Sequence, residues 1–319
     1  MNFPKVPTAG FPPVWANGKM RLVTTAKCNI ACFYCHNEGQ PKSSSFMGED
    51  LFEHVLELIR VAPDSPPHVT MTGGEALLHP RLEWQIERLR ALTDEVSVVT
   101  NGLLLTPKKI GSLKSAGITK IRLGVDSLTG EKSRPTPVYR GERPIRETAE
   151  LILRSGLQTE LNVVATEFNR GELGGIISFC RDKKISAKIF EHVQVFSLGG
   201  PGGFGNFVSA PILPFEVVER AILGAMGPCQ KSLVDGFGNT NYLYQGDGFS
   251  VRYCKYLCTD GLCPMTGTRI DPQGFVYSCM SKRAKSRIAP ENAVEESLDI
   301  IRRVVSEGCA VEPLAANRR

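Results

Sequence analysis

Residues 68–75 read HVTMTGGE, residues 95–102 read EVSVVTNG and residues 119–127 read TKIRLGVDS. Each is a short run rich in Val, Ile, Leu and Thr that passes directly into glycine or a polar side chain. Parallel strands read this way when their carboxyl ends open onto loops that carry chemistry. Working outward, similar runs occupy 20–26, 158–165 and 186–193. Helical patterns fall between them, near 82–92, 108–116, 143–154 and 171–182. The clearest follows Gly48, where Leu51, Phe52, Val55, Leu56 and Ile59 share one helical face. Six strand–helix units are fewer than a closed barrel needs, so the pattern predicts an α/β fold, a partial (βα)6 TIM-like barrel with an open, curved sheet. Its working residues should collect on one rim. A cysteine cluster follows the first strand, Thr72-Gly73-Gly74-Glu75 the second, Thr100-Asn101-Gly102 the third and Asp126-Ser127 the fourth.

The alternation stops at 197–207, SLGGPGGFGNF, where five glycines and one proline suit a connection rather than an element. The expected organisation is a barrel domain over 1–196, a Gly/Pro-rich linker over 197–214 and a smaller cysteine-bearing domain over 215–319. That domain has helical patterns at 215–226 and near 293–307. The composition, 42% hydrophobic and 22% charged over 319 residues, excludes disordered and fibrous classes. Lys and Arg exceed Asp and Glu by only 38 − 33 = 5, which gives no field that argues for nucleic acid. No run of about 18 apolar residues occurs, and prolines interrupt the amino-terminal stretch where a signal peptide needs an apolar core. A cytoplasmic protein without membrane or nucleic-acid partners is expected. In a reducing compartment ten grouped cysteines hold metal or do chemistry more often than they form disulfides.

Cys28, Cys32 and Cys35, spaced C-x3-C-x2-C, put three thiolates within eight residues, close enough to converge on one metal centre. Three ligands leave one iron of a cubane open. The competing readings are three buried cysteines or a zinc knuckle completed by His36. The spacing, with Tyr34 directly before the third cysteine and a Gly-Gly-Glu turn after the second strand, resembles the signature of the radical S-adenosylmethionine (radical SAM) superfamily. The resemblance implies a [4Fe–4S] cluster at the three cysteines and S-adenosylmethionine (SAM) chelated by it. It further implies reductive cleavage to a 5′-deoxyadenosyl radical that takes hydrogen from a substrate, and a flavodoxin- or ferredoxin-type electron donor. Gly73, Gly74 and Glu75 would receive the amino group of SAM's methionine. Tyr34, Thr100, Asp126, Ser127, Asn162 and Val193 complete the implied cofactor contacts.

From 20 to 193 the chain is similar to the GTP 3′,8-cyclases of molybdenum-cofactor biosynthesis, through RLVTTAKCNIACFYC, MTGGEALLHP, VVTNGLLL, GVDSL and LNVVATEFNRGELGGIISFCRDKKISAKIFE. Several triphosphate-binding cations of that family are missing. Arg21 and Arg269 match, but Thr70, Glu160 and Gly267 stand where the family has basic residues. The chain ends in Asn317-Arg318-Arg319 rather than paired glycines. Glu in place of a phosphate-pairing Lys turns attraction into repulsion, so GTP is not the expected substrate. Gly124 replaces a serine of the SAM site, for which Ser127 is the nearest substitute, and Val193 replaces a methionine. Arg21, Glu160, Glu191 and Arg269 at the barrel mouth suit a small polar metabolite, nucleoside- or sugar-derived, with one anionic group. Dehydrogenation, decarboxylation or C–C bond formation would make the enzyme an oxidoreductase or lyase. Maturation of a ribosomal peptide is a second reading, against which stands the lack of an evident peptide-recognition domain. An iron–sulfur electron carrier or zinc-binding interaction protein is a third, for which a Gly-Gly-Glu turn has no use.

A second set, Cys254-x3-Cys258-x4-Cys263-x15-Cys279, precedes Met280. A hairpin over 268–277, turning at Asp271-Pro272-Gln273-Gly274, would return Cys279 towards Cys263. Related enzymes carry a second [4Fe–4S] cluster here, and structural zinc is the alternative. Three ligands would leave an iron open to substrate, and four would close the cluster. Cys180 and Cys309 read as packing residues, whereas Cys229 is placed to approach the second set.

Overall fold

The computed structural model describes residues 14–32, 34–35, 37–40, 43–64, 67–128, 145–192, 212–235, 240–255, 267–278 and 286–306. Six strands alternating with five helices open the described residues: β1 (Lys19–Thr25), α1 (Glu49–Val61), β2 (His68–Gly73), α2 (Leu82–Arg90), β3 (Val96–Thr100), α3 (Pro107–Ser115), β4 (Lys120–Gly124), α4 (Ile145–Arg154), β5 (Gln158–Ala165), α5 (Leu173–Lys183) and β6 (Ser186–Glu191). Then come α6 (Phe215–Met226), β7 (Gln230–Asp235), β8 (Thr240–Gly246), β9 (Phe249–Cys254), β10 (Thr268–Ile270), β11 (Phe275–Tyr277), β12 (Ser286–Arg287) and α7 (Val294–Ser306). The expected strands and helices of the first 191 residues all form, with ends moved by two residues at most. The expected hairpin forms as β10 and β11, antiparallel with Arg269 opposite Tyr277.

Among the described residues the strands make one sheet in the order β12-β11-β10-β1-β2-β3-β4-β5-β6-β9-β8-β7. From β10 to β9 every neighbouring pair is parallel. The segment after residue 214, expected as a smaller appended unit, thus supplies strands to both edges of the barrel's own sheet. Most of the expected linker lies outside the described residues, as do Cys258, Cys263, Cys279, Cys309, His36 and Val193. The three-strand meander β7-β8-β9 was not anticipated. Its β8–β9 connection is the two residues Asp247-Gly248, with Gly248 at φ +76°, a conformation that favours glycine.

Side-chain alternation sets the two faces of the sheet. Ile121, Leu123, Leu161, Val163, Ala187 and Ile189 are buried in the apolar core against helical side chains such as Ile110, Leu113, Ile152 and Ile176. Each such fully buried Val, Leu or Ile side chain contributes about 1.5–3 kcal/mol. The other face carries Arg122, Glu160 and Lys188 on neighbouring strands. Lys19 of β1 lies within electrostatic reach of Arg122 on β4 and Arg252 on β9, although six strand spacings separate β1 from β9 along the sheet. The sheet therefore curls, and this polar face is its concave lumen. No helix among the described residues is long and apolar enough to cross a membrane.

Candidate active site

The loop leaving β1 carries Cys28, Cys32 and Cys35, and the turn leaving β2 is bonded directly to it. Gly74 N donates to Thr25 O (2.9 Å) and Glu75 N to Lys27 O (2.8 Å). A Cβ on Gly73 would lie 2.3 Å from Thr25 O, and one on Gly74 would lie 2.3 Å from Lys27 O. The backbone that these glycines admit is the cysteine loop itself. Further ties are Asn101 Nδ2 to Asn29 Oδ1 (2.8 Å) and Gln40 Nε2 to Thr25 O (3.3 Å).

The three cysteines are half-buried free thiols that feel one another electrostatically. Burial pushes the Cys28 thiol up to about 11. Cys32 is also raised, first by burial and then by the Asp126 carboxylate. Cys35 N donates to Cys32 O and its Sγ accepts from Asn37 N at 3.3 Å. Among the described residues no three His, Cys, Asp or Glu side chains are drawn together tightly enough to hold a metal as they stand. Three soft thiols on one loop, with no carboxylate or imidazole interleaved, nevertheless form the donor set that suits an iron–sulfur centre, and ligation would release their protons.

Glu75 is fully buried, and desolvation raises its carboxyl above the usual range against three incoming hydrogen bonds. These come from Leu77 N (3.0 Å), Thr100 Oγ1 (2.8 Å) and Asn101 N (2.8 Å). A carboxylate has about four acceptor sites, so one remains for an ammonium group. Thr100 is thereby a partner of Glu75. Asp126, half-buried two residues beyond β4, has its carboxyl raised to about 6 by desolvation, although Tyr34 donates to it at 2.5 Å. Asn162 opens onto the lumen with a buried Oδ1 that lacks a hydrogen-bond partner among the described residues, the kind of atom a bound polar ligand satisfies. Ser127 donates to Glu172 at 3.3 Å.

Below this rim, Arg122 spans four strands. It donates to Glu160 Oε1 (3.1 Å), Thr70 Oγ1 (2.6 Å) and Ser97 Oγ (2.6 Å), and Lys188 pairs with the same Glu160 at 2.9 Å. Arg252 on β9 faces the same space and makes no ion pair among the described residues. Glu191 lies on the opposite face of β6 from Lys188 and accepts from Tyr253 at 3.5 Å. Arg21 and Arg269 sit opposite each other on β1 and β10, and both bind Glu38. At the end of β9, Cys254 has its thiol raised to about 11 by burial, beside the cations Lys188, Arg252 and Lys19. Cys180 is buried in the core, as expected. Sequence reasoning missed Glu38, Arg122, Lys188 and Arg252. A usable signal existed for three of them, because K-x-R, S-x-K and R-x-C alternate polar residues along strands whose other face is apolar. Glu38, an acid in a loop, gave none.

The radical SAM superfamily profile matches residues 22–180. A GTP 3′,8-cyclase of Synechococcus sp. (strain WH7803) is 31% identical over 322 positions, covering 91% of this chain and 89% of the relative. A probable GTP 3′,8-cyclase of Methanocaldococcus jannaschii is 25% identical over 82% of this chain and 84% of its own length. Among solved structures, Streptococcus suis SuiB superposes with a TM-score of 0.62 at 13% identity, over 91% of this chain and 65% of SuiB. The chain therefore spans just under two thirds of SuiB, and the likeness is one of fold. The anSMEcpe structure with bound AdoMet and Cp18Cys peptide gives 0.56 at 14% identity, over 90% and 82% of the two chains. The chain belongs to the radical SAM superfamily, whose cofactors are a [4Fe–4S] cluster and SAM, and within it is a homologue of the GTP 3′,8-cyclases.

Proposed function

We propose that Cys28, Cys32 and Cys35 hold the cluster, and that the enzyme acts on a small polar metabolite with an anionic group, nucleoside- or sugar-derived, held in the lumen. When bound, the cluster and SAM supply a 5′-deoxyadenosyl radical. The observation that carries the reading is the bonding of the Gly73-Gly74-Glu75 turn to the cysteine loop, directly above a lumen lined by Arg122, Glu160 and Lys188. Glu75 orients the amino end of SAM, Asn162 offers its unsatisfied oxygen to the ligand, and Asp126 with Tyr34 braces the loop. The curled sheet excludes water around the reacting hydrogen, which is the protein's main contribution to such chemistry. Arg252 and Lys19 add positive charge on the same face as the Glu160 pairs, which supports an anionic substrate. Dehydrogenation, decarboxylation or C–C bond formation fits this lumen, with a flavodoxin- or ferredoxin-type donor in the cytosol. Cys254, beside the lumen cations, supports an auxiliary [4Fe–4S] cluster shared with Cys258, Cys263 and Cys279.

GTP cyclisation is the second reading, favoured by the 31% identity over nearly the whole Synechococcus relative. Against it, Glu160 repels phosphate where that family has a cation, and it already engages Arg122 and Lys188. The test is anaerobic reconstitution with SAM and dithionite, following 5′-deoxyadenosine as candidate compounds are added. A rise with phosphorylated or carboxylated small metabolites but not GTP supports the proposal. A rise with GTP alone establishes the second reading, and a rise only with peptides overturns both.

A further inference from the structure

Glu38 lies three residues beyond Cys35 and is 7% exposed at its side chain. It stands at φ 53°, ψ 21°, next to Asn37 at φ 46°. Two successive non-glycine residues in the left-handed region are costly, and they persist where surrounding contacts over-determine them. Here the contacts converge on one carboxylate. Oε2 accepts from Arg21 Nε (3.3 Å) and from Arg269 Nε (3.1 Å). Oε1 accepts from Arg21 Nη2 and from Thr72 Oγ1 (3.0 Å). Asn37 Nδ2 closes the turn onto Gln40 O (2.9 Å).

The partners come from three strands, β1, β2 and β10, and span the chain from residue 21 to residue 269. Arg269 also donates from Nη1 to Ser278 O at 3.2 Å, and Ser278 directly precedes Cys279 in sequence. One guanidinium, itself 3% exposed, thus links the stretch after Cys35 to the stretch before Cys279.

We propose that Glu38 is a positioning residue. Through Arg21 and Arg269 it fixes the loop of the three cysteines on the barrel and couples that loop mechanically to the hairpin strand that leads to Cys279. The two arginines, matched by resemblance to substrate contacts, serve the cysteine loop. A carboxylate shared between the buried guanidinium of Arg269 and the half-buried one of Arg21 accepts charge-assisted, near-bidentate bonds that a neutral amide does not replace. The proposal rests on the assignment of the first cluster to Cys28, Cys32 and Cys35.

The test is hydrogen–deuterium exchange on the full chain, cluster-free and anaerobically reconstituted, comparing wild type with Glu38→Gln and Arg269→Gln. Loss of one charge-assisted bond should raise exchange over 35–40 by about tenfold or more in Glu38→Gln. Exchange in Lys120–Gly124 and Gln158–Ala165 should stay unchanged. Arg269→Gln should loosen 35–40 and 275–278 together. The double variant should add little to the single ones, because the residues act as one unit. In the reconstituted protein the reduced-cluster EPR spectrum should broaden in Glu38→Gln. Thr72→Val, which removes a single neutral bond, should give a smaller rise over 37–40 and serves if Glu38→Gln does not fold. Unchanged exchange over 35–40, or an equal rise across the whole barrel, overturns the proposal. If the cysteine assignment is wrong instead, Cys32→Ala will bind as much iron as wild type, while the exchange difference in cluster-free protein remains.

Discussion

Gly74→Ala isolates the contact between the second strand's turn and the cysteine loop. The added methyl would sit 2.3 Å from Lys27 O, 2.5 Å from Lys27 C and 2.9 Å from Cys28 N, all backbone atoms that no rotamer change can move. Ordinary carbon contacts begin near 3.5 Å, so the loop must withdraw by about 1 Å. Overpacking of this kind costs about 1–3 kcal/mol, and stretching the Glu75 N to Lys27 O bond removes about 1 kcal/mol more. The sum is about 2–4 kcal/mol, focused on the residue before Cys28. A displacement of about 1 Å at a reacting centre lowers rates on the order of 10²-fold. Gly124→Ala is the control, because its methyl would meet only Thr100 O at 3.6 Å, an ordinary contact. The assay pairs thermal unfolding of cluster-free protein with iron content and 5′-deoxyadenosine formation after reconstitution. Gly74→Ala should lose stability, iron and cleavage, and Gly124→Ala should stay within about 0.5 kcal/mol of wild type. Wild-type iron content and cleavage in Gly74→Ala would refute the packing argument.

Glu75→Gln keeps the shape but turns an amide towards three donors, so it should cost about 1–3 kcal/mol and weaken SAM binding by isothermal calorimetry; unchanged affinity would remove Glu75 from the cofactor site. Arg122→Leu cuts bonds to Thr70, Ser97 and Glu160 at once and should destabilise the barrel by about 2–4 kcal/mol in thermal unfolding, with Lys188 left to hold Glu160. His54, bonded to Ser297 at 2.8 Å between α1 and α7, has its pKa held below the ordinary value by burial, with Glu291 opposing weakly. Its neutral form is the one the fold favours, so its contribution is complete above the unfolded pKa of about 6.5 and declines as pH falls towards the depressed folded value. Unfolding temperature measured from pH 8 to 5 should fall less steeply in His54→Gln than in wild type.

The barrel was legible because its strands obey local rules. Each of β1 to β6 is a short β-rich run, the first four of which lead into a polar motif, and α1 shows its buried stripe in the letters alone. The hairpin of β10 and β11 was equally plain from its turn. The placement of these elements was not, because β10 joins β1 and β9 joins β6 across long chain separations, and no local pattern encodes that pairing. The β8–β9 turn, Asp247-Gly248, was a readable hairpin signal that the cysteines nearby overshadowed. At the site, spacing identified Cys28, Cys32, Cys35 and the Gly73 to Glu75 turn. It did not reveal that the glycines admit the backbone of the cysteine loop, nor that Glu38 claims Arg21 and Arg269. Those facts depend on three-dimensional convergence, which a loop acid does not announce.

The central claim is that the loop of Cys28, Cys32 and Cys35 makes this chain cleave SAM. The direct measurement is 5′-deoxyadenosine released per chain from oxygen-free, iron-reconstituted protein under dithionite, with Cys32→Ala alongside. Release from wild type and none from Cys32→Ala is the predicted result. Wild-type protein that binds zinc in place of iron, or that holds iron and leaves SAM intact, would contradict it.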